Sequence, residues 1–168
     1  MNIKMNISIT HNKSDLNFAC DETTYEDGVK IGKRLIRTCS LPNYRTAIGL
    51  AHNQIRGNKR VYIVRDGGVW KTYINAEIVS KKGDFIHKES CMSLPKKKNQ
   101  NIGVNRAESV VINHLTKNGM IAERFEGFIA CVHQHEIDHL NGITICDRNE
   151  IDSHQCSDLN YQLNKWSK

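Results

Sequence analysis

An α+β fold is predicted for this chain: small β-sheets packed around one central helix, with another helix near the N-terminus. Three observations predict it. A helical run comes first, a block of short β-rich segments follows, and a second helical run closes the ordered part. The helices and strands are thus segregated and not alternating, which is the α+β pattern.

The first helix is expected over residues 23 to 39. Tyr25, Val29, Leu35, Ile36 and Cys39 recur at helical spacing behind a Thr23-x-x-Glu26 capping box, and Leu41-Pro42 ends the run. Between Arg60 and Phe125 the texture changes to VYIVR, VWKTYI and SVVINHL, separated by Asp66-Gly67-Gly68, Lys82-Gly83-Asp84 and Asn118-Gly119. Asn118-Gly119 is the strongest hairpin signal. The second helix is expected from Gly127 to Asn141, with Phe128, Cys131, Val132 and His135 on one face and Gly142 just beyond its C-cap. From Arg148 onward the chain is polar and only weakly helical.

Composition bounds the function. With 168 residues, 39% of them apolar, the chain matches one globular unit, so a single catalytic domain over 1–168 with a polar tail from about 148 is expected. No apolar run reaches membrane-spanning length, and the start lacks a signal peptide's apolar core, so a cytoplasmic monomer with no membrane contact is expected. The six cysteines form no Cys-x-x-Cys pair and read as reduced thiols. The net charge of +6 is spread along the chain except at Lys96-Lys97-Lys98, which reads as a solvated loop.

The chemistry starts at His135-Glu136-Ile137-Asp138-His139. Histidines four apart on a helix project from one face about 5–6 Å apart at Cβ, suited to clasping one metal ion. Glu136 is turned about 100° round the helix, beside the ion without being its ligand. There it can take a proton from water and pass it to a leaving group. A tetrahedral catalytic site needs one more protein ligand. The longer protease pattern requires a histidine where Ile145 stands, and Glu150, Asp152 and His154 of the tail are the other downstream candidates for a zinc endopeptidase. Upstream, Glu89-Ser90-Cys91-Met92-Ser93 offers a thiolate, and Ala47 to Gln54 is a small-residue stretch ending in a side-chain amide.

Taken together and in this order, AIGLAHNQ, ESCMS and QHEIDH resemble the peptide deformylase signatures Gly-x-Gly-Leu-Ala-Ala-x-Gln, Glu-Gly-Cys-Leu-Ser and Gln-His-Glu-x-Asp-His. VNRAESV at 104 to 110 also looks like a family stretch. The resemblance is to a short, divergent member lacking the long C-terminal helix. It implies that Cys91, His135 and His139 hold one divalent metal, Fe(II) in the cell, with Zn(II) or Ni(II) able to take its place. It implies hydrolysis of the N-formyl group from the initiator methionine of nascent polypeptides, with Glu136 as proton carrier and the Gln54 amide and Met92 N–H at the oxyanion. Ile48, Phe128, Cys131 and Val132 would line a methionine pocket, and the backbone near Ile48 and Gly49 would pair with the peptide as an added strand. Glu89 and Arg106 would brace the cysteine segment, with Asp138 behind the ligands.

The family pattern is not met everywhere. Ala47 and Ser90 replace glycines, at about 1 kcal/mol each if positive φ is needed there, and Asn75-Ala76 stands where Asn-Pro is common. The competing readings are the zinc endopeptidase and a catalytically inactive RNA- or ribosome-binding relative. Docking at the ribosome near the nascent-chain exit, helped by the positive charge, is a further expectation.

Overall fold

The computed structural model describes residues 8–94 and 101–148. Lys96-Lys97-Lys98, the tail candidates Glu150, Asp152 and His154, and Cys156 lie outside the described residues. After a single helical turn, α1 (Lys13–Leu16), the amphipathic helix α2 spans Tyr25–Cys39 and buries Leu35, Thr38 and Cys39. Its N-cap is Thr24, whose hydroxyl accepts from Asp27 N at 3.2 Å, one residue later than the expected Thr23 box. Thr23 is engaged elsewhere. Its N–H donates to Asn75 Oδ1 and its carbonyl accepts from Asn75 Nδ2, each at 2.9 Å.

Three antiparallel assemblies follow. β1 (Gly49–Ala51), β2 (Val61–Asp66) and β3 (Val69–Ile74) form one sheet in that order. β4 (Glu77–Lys82) pairs with β7 (Ser109–Thr116), which pairs with β8 (Gly119–Glu126). β5 (Phe85–Glu89) pairs with β6 (Ile102–Arg106). The runs VYIVR, VWKTYI and SVVINHL are β2, β3 and β7. Asn118-Gly119 lies in the β7–β8 hairpin, where Thr116 pairs with Gly119 and Gly119 has φ +105°. The fold is α+β, as the sequence predicts.

The last helix, α3 (Gly127–Leu140), touches β1 and β2 of the first sheet and β4, β7 and β8 of the second. Nine of its residues are buried, among them the polar His133, Gln134, Glu136, Asp138 and His139. Buried polar groups are costly unless partnered, so this helix is tied to its surroundings by specific bonds as well as by packing. Gln134 Oε1 accepts from Ala107 N at 2.9 Å and its Nε2 donates to Ala107 O at 2.9 Å. His133 sits against Phe125 and Tyr73, with a nitrogen 2.8 Å from Tyr62 Oη, and points away from the ligand face.

The far end of α3 is pinned just as firmly. Gly142, with φ +74°, closes a Schellman motif in which Gly142 N donates to His139 O at 3.0 Å and Ile143 N to Asp138 O at 2.9 Å. Asn53 Nδ2 donates to His139 O at 2.6 Å, and Cys20 N to Leu140 O at 2.8 Å. These bonds satisfy the carbonyls a helix end leaves open, so the turn bearing His139 does not fray. The described cysteines 20, 39, 91, 131 and 146 are all buried.

Candidate metal centre and catalytic cleft

α3 carries His135 and His139 one turn apart, and the loop after β5 brings Cys91 against them. One ligand atom from each lies within 4.8 Å of the others, with Cys91 Sγ 3.2 Å from His139 Nε2. Burial alone would raise the Cys91 thiol, but the charge of His139 and hydrogen bonds from both histidines hold it well below its ordinary value. His135 mirrors this: burial would lower it, and hydrogen bonds to Cys91 and Glu89 hold it well above its ordinary value. The donors therefore keep positive charge among themselves. A divalent cation would supply that charge, and thiolate with imidazole is a donor set that suits one. The residues fit a metal ion.

Behind the donors lies a chain of charges. Glu89 Oε2 is 2.9 Å from His135 Nδ1, which aims the other ring nitrogen at the ligand cluster. Arg106 grips Glu89 with two bonds, at 2.7 and 2.9 Å, and donates to Asp138 Oδ2 at 2.6 Å. Arg148 adds two more bonds to Asp138, at 2.5 and 2.7 Å. Burial works against the Glu89 carboxylate, yet bonds from Arg106 and His135 outweigh it and bring its pKa down to about 2.

The Gln54 side chain is aimed by its own backbone. Oε1 accepts from Ala51 N at 2.9 Å, so the donor end faces Ser93 Oγ at 3.1 Å and Cys91 Sγ at 3.8 Å. Glu136 is 4% exposed, and its Oε2 has no hydrogen-bond partner. Burial raises its carboxyl to about 7, against the opposing pull of His135 and His139. A Cβ at Gly49 would collide with this carboxylate, so β1 can approach Glu136 only with glycine at that position. Ile48 O accepts from Arg65 N at 2.7 Å, and Leu50 pairs with Ile63. Alternation along an antiparallel pair then turns the N–H and C=O of Gly49 away from β2.

Most of these groups border one cleft of about 550 Å³. Ile48, Gly49, Gln54, Glu89, Cys91, Met92, Phe128, Cys131, Val132, His135 and Glu136 line it, whereas His139, Arg106 and Asp138 stand behind its wall. Ile145 packs with Cys91, Leu94 and Ile102 in an apolar cluster. Neither Ala47 nor Ser90 has positive φ, so the strain considered for those glycine replacements does not arise. Sequence reasoning passed over His11 and His87, which also line the cleft, and Arg148. His87 was findable, because strand alternation places it on the same face as Glu89.

Comparison with known proteins places this geometry. The family model of polypeptide deformylase matches residues 10–155. The chain belongs to the polypeptide deformylase family. A peptide deformylase of Halothermothrix orenii is 40% identical over 105 residues, covering 60% of this chain and 66% of that protein, just under two thirds of its length. The crystal structure of a peptide deformylase from Legionella pneumophila superposes with TM-score 0.76 at 26% identity, covering 95% of this chain and 94% of that one. A Met-Ala-Ser-bound peptide deformylase from Acinetobacter baumannii superposes with TM-score 0.72 at 26% identity, covering 84% and 97%. Membership of this family, with Cys91 beside the two histidines, leaves the endopeptidase and inactive-module readings without support.

Proposed function

We propose that this deformylase removes the N-formyl group from the initiator methionine of nascent polypeptides, releasing formate. The observation that carries the reading is the convergence of a Cys-His-His cluster, the Gln54 amide and the buried Glu136 carboxylate on one cleft. Cys91, His135 and His139 would hold one divalent ion, Fe(II) in the cell, with Zn(II) or Ni(II) able to occupy the same donors. When bound, that ion supplies Lewis acidity at the reacting carbonyl.

The chain's own groups do the rest. Glu136 Oε2, buried and unpartnered, takes the proton of the attacking water and passes it to the departing amine. Gln54 Nε2 and the Met92 N–H donate to the oxygen on which negative charge develops. Ile48, Phe128, Cys131 and Val132 enclose the methionine side chain, and Gly49 pairs with the peptide backbone as an added strand. Glu89, Arg106 and Asp138 keep His135 in its orientation. No helix among the described residues is long and apolar enough to cross a membrane. The enzyme acts as a cytoplasmic monomer in one catalytic unit and meets its substrates near the ribosomal exit.

Anaerobic purification with metal analysis, then formate release from formyl-Met-Ala-Ser, tests the reading. The wild type should release formate and Glu136→Ala should not, at equal metal content. Tight metal binding without formate release by the wild type would sink it. Ribosome co-sedimentation that weakens with salt supports docking through charge, and indifference to salt removes that part.

A further inference from the structure

One wall of the cleft is built by a strand whose inner face is aromatic. Phe85, His87 and Glu89 alternate along β5 and so share a face. Glu89 ends that row at the ligand His135, 2.9 Å away. Two residues along a strand span about 6.8 Å, so His87 stands roughly that far outward from the metal end of the cleft. An extended methionine side chain has about this reach. The His87 ring packs against Phe85 on one side, centroids 6.0 Å apart, and against Phe128 of α3 on the other, at 5.8 Å. Phe128 is 53% exposed, an aromatic ring that the fold leaves uncovered at the edge of the cleft.

We infer that His87 and Phe128 form a thioether-reading ledge, which makes this deformylase select a sulfur-bearing first side chain over its hydrocarbon isostere. The inference rests on the deformylase reading and deepens it. Cys131 and Val132 offer the pocket small apolar surface, which a hydrocarbon chain fills as well as a thioether does. Polarizable sulfur gains an additional attraction from each ring edge about 5 Å away, equivalent to a preference of about two- to twelve-fold per ring. His87 is the element that adds the second ring. Its Nδ1 is turned inward, 3.5 Å from Glu89 Oε1 and without a hydrogen bond, which leaves the opposite edge of the ring toward the cleft.

The test is the ratio of kcat/KM for formyl-Met-Ala-Ser to that for formyl-norleucyl-Ala-Ser, in wild type, His87→Leu, His87→Phe and Phe128→Leu. A ratio does not depend on the fraction of active enzyme, so partial misfolding cannot imitate the result. The wild type should favour methionine by about five-fold or more, His87→Leu and Phe128→Leu should each lower the ratio by about two-fold or more, and His87→Phe should keep it. The lost preference should lie in KM, because a side-chain contact equal in ground and transition states leaves kcat unchanged. A wild type with no preference, a His87→Leu variant that keeps it, or a His87→Phe variant that loses it overturns the inference. Absence of formate from both peptides in the wild type would instead overturn the deformylase reading.

Discussion

Replacing Arg106 by methionine removes the centre of the buried charge chain while keeping most of the side-chain volume. Arg106 is 3% exposed and makes three charge-assisted bonds to two carboxylates. The two carboxylates fare differently without it. Asp138 keeps both bonds from Arg148, whereas Glu89, 6% exposed, keeps among the described residues one hydrogen bond, to His135. Stranding one partner of a buried ion pair costs about 3–5 kcal/mol, and the rescue of Asp138 places the cost near the lower end, about 3 kcal/mol. That is about a 150-fold loss in the folding equilibrium, or a Tm lower by about 6–12 °C for a chain of this size. The orientation of His135 suffers too, so metal affinity should fall by about 10- to 100-fold. Circular dichroism melts and metal competition with a chromogenic chelator measure the two effects. A Tm within about 2 °C of wild type together with metal affinity within about two-fold would refute the reasoning.

Other outcomes follow from the same structure. Gln54→Ala should lose about 10²–10³-fold in kcat with metal content unchanged, measured by formate release and metal analysis. Gly142→Ala forces a Cβ onto φ +74° and toward Phe18 N at 2.7 Å, so it should cost about 2 kcal/mol in a urea titration. Burial, helped by the charge of Arg34, lowers His52 to about 4. A histidine held neutral in the fold contributes stability above its unfolded pKa of about 6.5, and loses it at about 1.4 kcal/mol per unit as pH falls toward 4. Glu136, raised to about 7, acts with the opposite sign in this window, so the contribution must be read as a difference. Relative to His52→Phe, the wild type should lose about 2 kcal/mol more between pH 7 and pH 5, and parallel urea midpoints across that range would disprove it.

Much of this was legible in the sequence because it depends on local spacing. The i, i+4 histidines and the glycine beyond the C-cap define α3 without knowledge of any neighbour, and β2, β3 and β7 are dense in β-branched and aromatic residues. The bracing bonds were not legible. Asn53 reaches the carbonyl of His139 and Gln134 reaches Ala107, partners that are backbone atoms far along the chain and leave no composition signal. Two adjacent threonines hid which one caps α2, because the answer depends on Asn75. Glycine replacement at Ala47 and Ser90 suggested strain only because backbone conformation cannot be read from residue identity.

The proposed ligand set joins two parts of the chain that the backbone separates widely. Cys91 arrives on the loop after β5, while both histidines ride on α3, and the whole of β6, β7 and β8 lies between them. An ion held by all three would tie the two ends of a long polymer loop together in the folded chain. Because the three donors converge only in the folded chain, binding the ion would favour that state by mass action. Chelation should therefore lower the melting temperature as well as abolish turnover, and exchange of the ion should be gated by how often the Cys91 loop swings off the helix.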